Sequence, residues 1–167
     1  SVFMIPTAFS SESAVAEEGG AISYNIGYMS EYWYRGVHQS DSAVSFGADY
    51  EVGGFYLGTW WADVDTGLEH DYYGGYAFSA MGMDMYAGFT GYYYTDNFDS
   101  DYEEFNFGVA MGPIAVDFAD GNYDGSSVTD TGYTFTSVAL DLAMVGLPMT
   151  LTAGYWGGDS SLKGNVY

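Results

Sequence analysis

Residues 21–65 read AISYNIGYMSEYWYRGVHQSDSAVSFGADYEVGGFYLGTWWADVD. Every second residue from Ile22 gives Ile22, Tyr24, Ile26 and Tyr28, continuing through Ser30, Tyr32 and Tyr34. The interleaved positions are Ser23, Asn25, Gly27, Met29, Glu31, Trp33 and Arg35. Successive side chains of a strand point to opposite faces, so these two sets form an apolar-aromatic face and a small, polar or charged one. A polar loop, Gly36 to Asp41, leads to a second alternating run, with Val44, Phe46, Ala48 and Tyr50 set against Ser45, Gly47, Asp49 and Glu51. The Val52-Gly53-Gly54 turn then opens a third run from Phe55 to Trp61.

The same unit repeats down the chain. Runs around Tyr72–Ser79, Met83–Thr90, Phe105–Met111, Ile114–Ala119, Thr134–Leu142 and Met149–Tyr155 keep the period of two, which makes nine strands with no helical segment between them. Tight turns at 52–54, 80–82, 112–113 and 145–148 carry no acid, whereas the longer connections at 36–41, 63–71, 95–104, 120–131 and 157–163 each carry at least one. Segregation of charge to one end of the hairpins has no reason in a soluble sandwich. It suits an antiparallel up-and-down transmembrane β-barrel, with short periplasmic turns, longer outer loops, a lipid-facing apolar side and a polar interior.

The string Ser30-Glu31-Tyr32-Trp33-Tyr34-Arg35-Gly36-Val37-His38-Gln39-Ser40-Asp41, with Phe46-Gly47-Ala48-Asp49-Tyr50 and Gly54 to Trp60, resembles the TorF-type porin family of Gram-negative outer membranes. The likeness is closest over residues 17–65, and His38 departs from it where a small residue is expected. The resemblance implies an outer-membrane barrel that passes small solutes. Because bacterial barrels have even strand numbers, it also implies further strands beyond residue 167, about ten to twelve in all.

Composition narrows the partners. With 2 Lys and Arg against 23 Asp and Glu, a net charge of −21 argues against nucleic acid and anionic headgroups as ligands. Disorder is excluded by 48% hydrophobic and 20% aromatic content, leaving an acidic soluble β-sandwich as the alternative to the membrane barrel. No run approaches the ~20 apolar residues of a spanning helix, which does not bear on a protein crossing with strands. The absence of cysteine is compatible with the cell envelope. Residues 1–16 read as a signal-peptide remnant, an apolar Val2 to Phe9 followed by the A-x-A site Ala14-Val15-Ala16, with the barrel domain over 17–167.

By strand phase, Glu31, Arg35, Asp49, Glu51, Asp84, Asp117 and Asp141 point into the lumen, joined by Glu104 near a loop, and Arg35 is expected to pair with Glu31. Such a ring of carboxylates would favour cations over anions. Tyr32, Tyr34, Trp60, Trp61, Tyr92, Tyr93, Tyr94 and Trp156 are candidates for the aromatic girdles at headgroup depth. Calcium is the one candidate cofactor. Asp120, Asn122 and Asp124 match the first half of an EF-hand loop, although Thr131 stands where its bidentate Glu belongs, and Asp99, Asp101 and Glu103 form a second group of hard oxygens. His38 and His70 have no nucleophile at motif spacing, so no enzyme is expected. A non-transporting structural or adhesin barrel with calcium-binding acidic loops is the second reading.

Overall fold

The computed structural model describes residues 13–17, 20–124 and 131–167. Among these residues twelve strands follow one another: β1 (Ser13–Glu17), β2 (Gly20–Met29), β3 (Tyr32–Tyr34), β4 (Val37–Ser40), β5 (Ala43–Val52), β6 (Phe55–Asp63), β7 (Leu68–Ala80), β8 (Met83–Tyr94), β9 (Tyr102–Met111), β10 (Ile114–Tyr123), β11 (Thr131–Asp141) and β12 (Thr150–Gly158). Ten of them form one sheet in the order β1-β2-β5-β6-β7-β8-β9-β10-β11-β12, while β3 and β4 form a separate hairpin. Every pairing is antiparallel. The nine strands expected from alternation are β2 and β5–β12.

The turn residues account for this up-and-down order. Gly53 and Gly54 have φ of 55° and 89°, and Met81 and Gly82 of 54° and 77°. Positive φ at both central residues matches the right-handed twist of the flanking strands and closes each hairpin in two residues. Between β11 and β12, a 3-10 turn (Leu142–Val145) starts at Asp141, whose side chain accepts from Ala143 N, and ends at Gly146 with φ 84°.

Closure into a barrel is not observed. Among the described residues no ladder joins β12 to β1, and the free edge of β12 instead carries residues 165–167, through Gly154 N to Tyr167 O (3.0 Å) and Trp156 N to Asn165 O (3.0 Å). The sheet is nevertheless curled, because residues just after β2 reach side chains on β9, β11 and β12 across its inner face. Of the expected signal remnant, residues 1–12 lie outside the described residues, and Ser13–Glu17 pairs with β2 in the register Ser13 to Tyr24.

The outer face carries the larger apolar residues. Ile22, Tyr24, Ile26 and Tyr28 on β2 are exposed, as are Phe55 (63%) and Leu57 (64%) on β6 and Phe105, Phe107 and Met111 on β9. Buried residues lie on the inner face and near the loop ends of the strands. One cluster joins Met29, Tyr32, Ala43, Trp60, Ala62 and Val64, and a second joins Ala119, Tyr133, Phe135 and Trp156. Toward the tight-turn end the inner positions Glu51, Tyr56, Asp84, Tyr86, Asp117 and Ser137 are half-buried or exposed.

Several boundaries differ from the sequence expectation: the polar loop over 36–41 contains β4, the loop over 95–104 ends where β9 begins at Tyr102, and the loop over 120–131 starts only after β10 ends at Tyr123. Two further differences matter for the site. The alternation of β2 does not run on to Tyr34. The strand stops at Met29, Ser30 and Glu31 form a bend, and the phase flips so that Tyr32 faces inward. The acidic connection expected over 63–71 ends at Gly67, because Leu68, His70 and Tyr72 alternate with Glu69, Asp71 and Tyr73 as the start of β7.

Inner-face glycines pack against tyrosine rings from adjacent strands. A Cβ on Gly121 would lie 2.6 Å from the Tyr133 ring and 2.8 Å from the carbonyl oxygen of Glu103, whereas one on Gly132 would meet nothing nearer than Asn122 Oδ1 at 3.8 Å. Gly121→Ala is therefore expected to destabilise by about 1–3 kcal/mol through overpacking. Gly132→Ala should be neutral or slightly stabilising. Equilibrium urea unfolding of the two variants distinguishes them, and equal midpoints would contradict the packing described.

Candidate functional site

The hairpin β3–β4 carries the centre of the inner face. Its turn is Arg35-Gly36, with φ of 48° and 77°. Glycine tolerates that region and arginine does so at a cost, so the turn breaks a local preference that other contacts must compensate. Arg35 makes those contacts. Its Nη1 and Nη2 each donate at 2.7 Å to the two carboxylate oxygens of Glu104 on β9. Such a fork-to-fork pair fixes direction as well as charge. The guanidinium lies over the rings of Tyr34 (4.9 Å), Phe135 (4.5 Å) and Trp156 (5.8 Å), and Trp156 Nε1 donates to the Arg35 carbonyl at 3.0 Å.

Glu104, 1% exposed, collects further donors: Tyr92 Oη (2.8 Å), Tyr133 Oη (2.8 Å) and Asn106 Nδ2 (2.7 Å). Because Tyr92 donates its proton to Glu104, Tyr34 is the donor in the 2.5 Å contact between the Tyr34 and Tyr92 hydroxyls. Tyr32, 1% exposed, donates to Glu69 Oε1 at 2.8 Å and packs edge-on against Trp60. Burial, and after it the Glu69 carboxylate, pushes the Tyr32 phenol well above its ordinary range. Burial does the same to Tyr34 against the pull of the adjacent Arg35. Both therefore remain neutral donors.

One arrangement recurs across neighbouring strands: a tyrosine crosses a glycine to reach a carboxylate. Tyr73 crosses Gly58 and donates to Asp49 at 2.5 Å, Tyr86 crosses Gly108 to Asp117 at 2.8 Å, and Tyr133 crosses Gly121 to Glu104. In each case the glycine sits opposite both partners in the ladder, and its missing side chain is the space the ring occupies.

Of the expected lumen residues, Arg35, Asp49, Glu104 and Asp117 are on the inner face and joined to partners. Asp84 is inward by phase and accepts from Ser79 near the turn end, and Glu51 is inward by phase but exposed. Asp141 caps the 3-10 turn. Glu31 does not line the interior. It lies exposed in the bend, accepts from Trp33 Nε1 at 3.1 Å, and leaves Arg35 to the distant Glu104.

The girdle assignment needs a larger correction. Tyr32, Tyr34, Trp60, Tyr92, Tyr94 and Trp156 belong to the inner side: Tyr32, Trp60, Tyr92 and Trp156 are buried, Tyr34 meets Tyr92, and Tyr94 packs on Phe98 and Tyr102. Neighbours in a strand point opposite ways, so of Trp60-Trp61 and of Tyr92-Tyr93-Tyr94 only Trp61 and Tyr93 reach the outer face. There they join a row directly across four strands, Phe46, Trp61, His70 and Tyr93, stacked at 5.8, 5.0 and 5.8 Å.

The calcium candidates are not gathered into a site. Asp99 accepts from Tyr102 and Tyr123, Glu103 accepts from Tyr93 on the outer face, and among the described residues no group of three or more His, Cys, Asp or Glu is placed to hold a metal. Asp120 and Asn122 are exposed on the outer face of β10, and Asp124 is exposed just beyond it. The inner residues missed in the sequence are Glu69, Asp71, Tyr73, Tyr86 and Tyr133. The available signal was the pairing of each tyrosine with a glycine on the next strand.

A family model described as a bacterial protein of unknown function (Gcw_chp) matches residues 13–166. The chain belongs to the Gcw_chp family. No curated protein and no solved structure matches it. The match spans β1 to the residues paired along β12, so this Gcw_chp chain holds the inner cluster within the family region.

Glu104 without its partner would be a buried unpaired charge. Arg35→Ala should cost about 3–5 kcal/mol, and adding Glu104→Gln should recover much of that loss, since neutralising the stranded carboxylate removes the penalty. Urea midpoints for the single and double variants test this. Strictly additive losses would contradict the coupling.

Proposed function

We propose that this chain is an outer-membrane β-barrel that passes small cations through a narrow acidic lumen. The observation that carries the reading is the inverted polarity of the sheet. Phe55, Leu57, Phe105, Phe107 and Met111 lie on the exposed face, while acids, hydroxyls and the Arg35–Glu104 pair lie inside. Lipid is the medium in which an uncovered apolar face is favourable, and a lumen is where polar groups can stay hydrated. The nine long strands, nine to thirteen residues each, suit the roughly 9–11 residues of a tilted spanning strand. The outer row Phe46-Trp61-His70-Tyr93 lies toward the loop ends and Phe55-Tyr76-Phe78 toward the turn ends, which fits two interfacial belts. The likeness of residues 30–60 to TorF-type porins supports the same reading.

The hairpin packed on Glu104, Phe135 and Trp156 narrows the loop end of the lumen. That packing also favours a second reading, a barrel plugged by its own side chains that serves a structural or adhesive role.

Planar-bilayer recordings separate the two. Under a salt gradient the reversal potential should report cation preference, and the preference should weaken at high salt as screening shortens. Asp49→Asn with Glu51→Gln should reduce it without unfolding, because Asn keeps an acceptor for Tyr73. Anion preference would refute the acidic lumen, and no conductance would favour the plugged barrel.

A further inference from the structure

Most acids along the inner face are matched by a donor. Asp49 and Asp117 accept from tyrosines, and Glu104 accepts from Arg35 as well. Glu69 and Asp71 differ. They sit two residues apart on the inner face of β7 and are 2% and 7% exposed. Glu69 uses Oε1 to accept from Tyr32 and has the Tyr94 hydroxyl beside its carboxylate, but among the described residues its Oε2 and Asp71 Oδ1 are buried with no hydrogen bond of good geometry.

No basic side chain is available to neutralise them. Arg35 is committed to Glu104, and Lys163 lies in the exposed segment after β12. His38 stands beside Asp41, and His70 points to the other face of β7, stacked between Trp61 and Tyr93. These four are the only Lys, Arg and His residues in the chain. Two buried carboxylates with unsatisfied oxygens are costly unless a positive charge or a proton accompanies them.

We propose that Glu69 and Asp71 bind a hard divalent cation on the inner face of β7. The charge of such an ion balances both carboxylates, and the surrounding ligand chemistry is oxygen alone, with the Tyr32 hydroxyl on Glu69. Among the described residues no third acid or histidine joins the pair to hold a metal, which fits an ion that keeps part of its water shell, as magnesium does with one or two carboxylates. Opposite the pair across the ladders stand Ala62 and Trp60 on β6 and Tyr94 and Tyr92 on β8, so rings wall the site from both sides. The site requires only the inner face of the sheet, and it holds whether or not the sheet conducts ions.

Terbium is the probe, because it substitutes for hard divalent cations and its luminescence is sensitised by nearby indole and phenol rings, here Trp60 and Tyr32. The full chain, folded in detergent at a fixed ionic strength of ~0.15 M to suppress general attraction to the acidic surface, is titrated with terbium and then with calcium or magnesium chloride. Saturable luminescence displaced by calcium or magnesium is expected. Glu69→Gln with Asp71→Asn should weaken binding at least tenfold, while Asp101→Asn with Glu103→Gln, at the start of β9 and away from the inner face, should leave it unchanged. Without divalent ions the Glu69→Gln, Asp71→Asn variant should melt no lower than the wild type, and calcium or magnesium should raise the midpoint of the wild type alone. No saturable luminescence, unchanged binding in that variant, loss confined to the Asp101→Asn, Glu103→Gln variant, or failure of both ions to displace terbium would overturn the proposal, the first by leaving a shared proton as the way the two carboxylates are accommodated.

Discussion

Pairing every long strand with its neighbours in sequence leaves a sheet with only two faces, and among the described residues no other part of the protein covers the apolar one. Leu57 and Phe55 remain more than 60% exposed, while Glu104 and Glu69 are almost fully buried. In water this distribution would be doubly unfavourable, since apolar area stays hydrated and carboxylates lose hydration. The tension disappears if the surroundings of the outer face are hydrocarbon. The acid-free turns and acidic loops then mark the two ends of the strands. The two rows of outer aromatics then lie where amphipathic rings are most stable.

The inner face solves a separate problem, that of filling a curled sheet with polar groups while leaving few unsatisfied. Tyrosine suits this because its ring spans a neighbouring strand and its hydroxyl ends on an acid, provided the residue crossed is glycine. Tyr73, Tyr86 and Tyr133 are placed in this way. The remaining burden falls on one arginine. Arg35 sits at a positive φ in the tip of a hairpin, and its bidentate pairing with Glu104 and its aromatic enclosure hold that hairpin across the inner face.

Much of the fold was legible because it rests on local rules. Alternation from Ile22 to Tyr28 and the glycines at 53, 54 and 82 determine strands and turns without knowledge of distant residues. The site was less so. Tyr32 and Tyr34 continue the alternation of β2 on paper, and only the bend at Ser30 and Glu31 reverses their direction. Glu69 and Asp71 look like loop acids by residue type, although they keep strand phase with Tyr73. The partner of Arg35 lies 69 positions away, and no local spacing points to it. For the girdle, the sequence did contain the constraint: adjacent residues such as Trp60 and Trp61 cannot share one face of a strand.

The inverted polarity of the sheet requires that the exposed apolar face meet lipid and that the polar face not do so. The chain has no cysteine, so single Cys residues can carry a nitroxide label without background. Labels at Leu57 and Phe107 on the outer face, and at Asn106 on the inner face, are to be compared in protein reconstituted into phospholipid vesicles. Power saturation by dissolved oxygen, which concentrates in bilayers, and by a water-soluble nickel complex should place Leu57 and Phe107 in hydrocarbon and Asn106 outside it. Equal exposure of all three to the nickel complex would contradict the account.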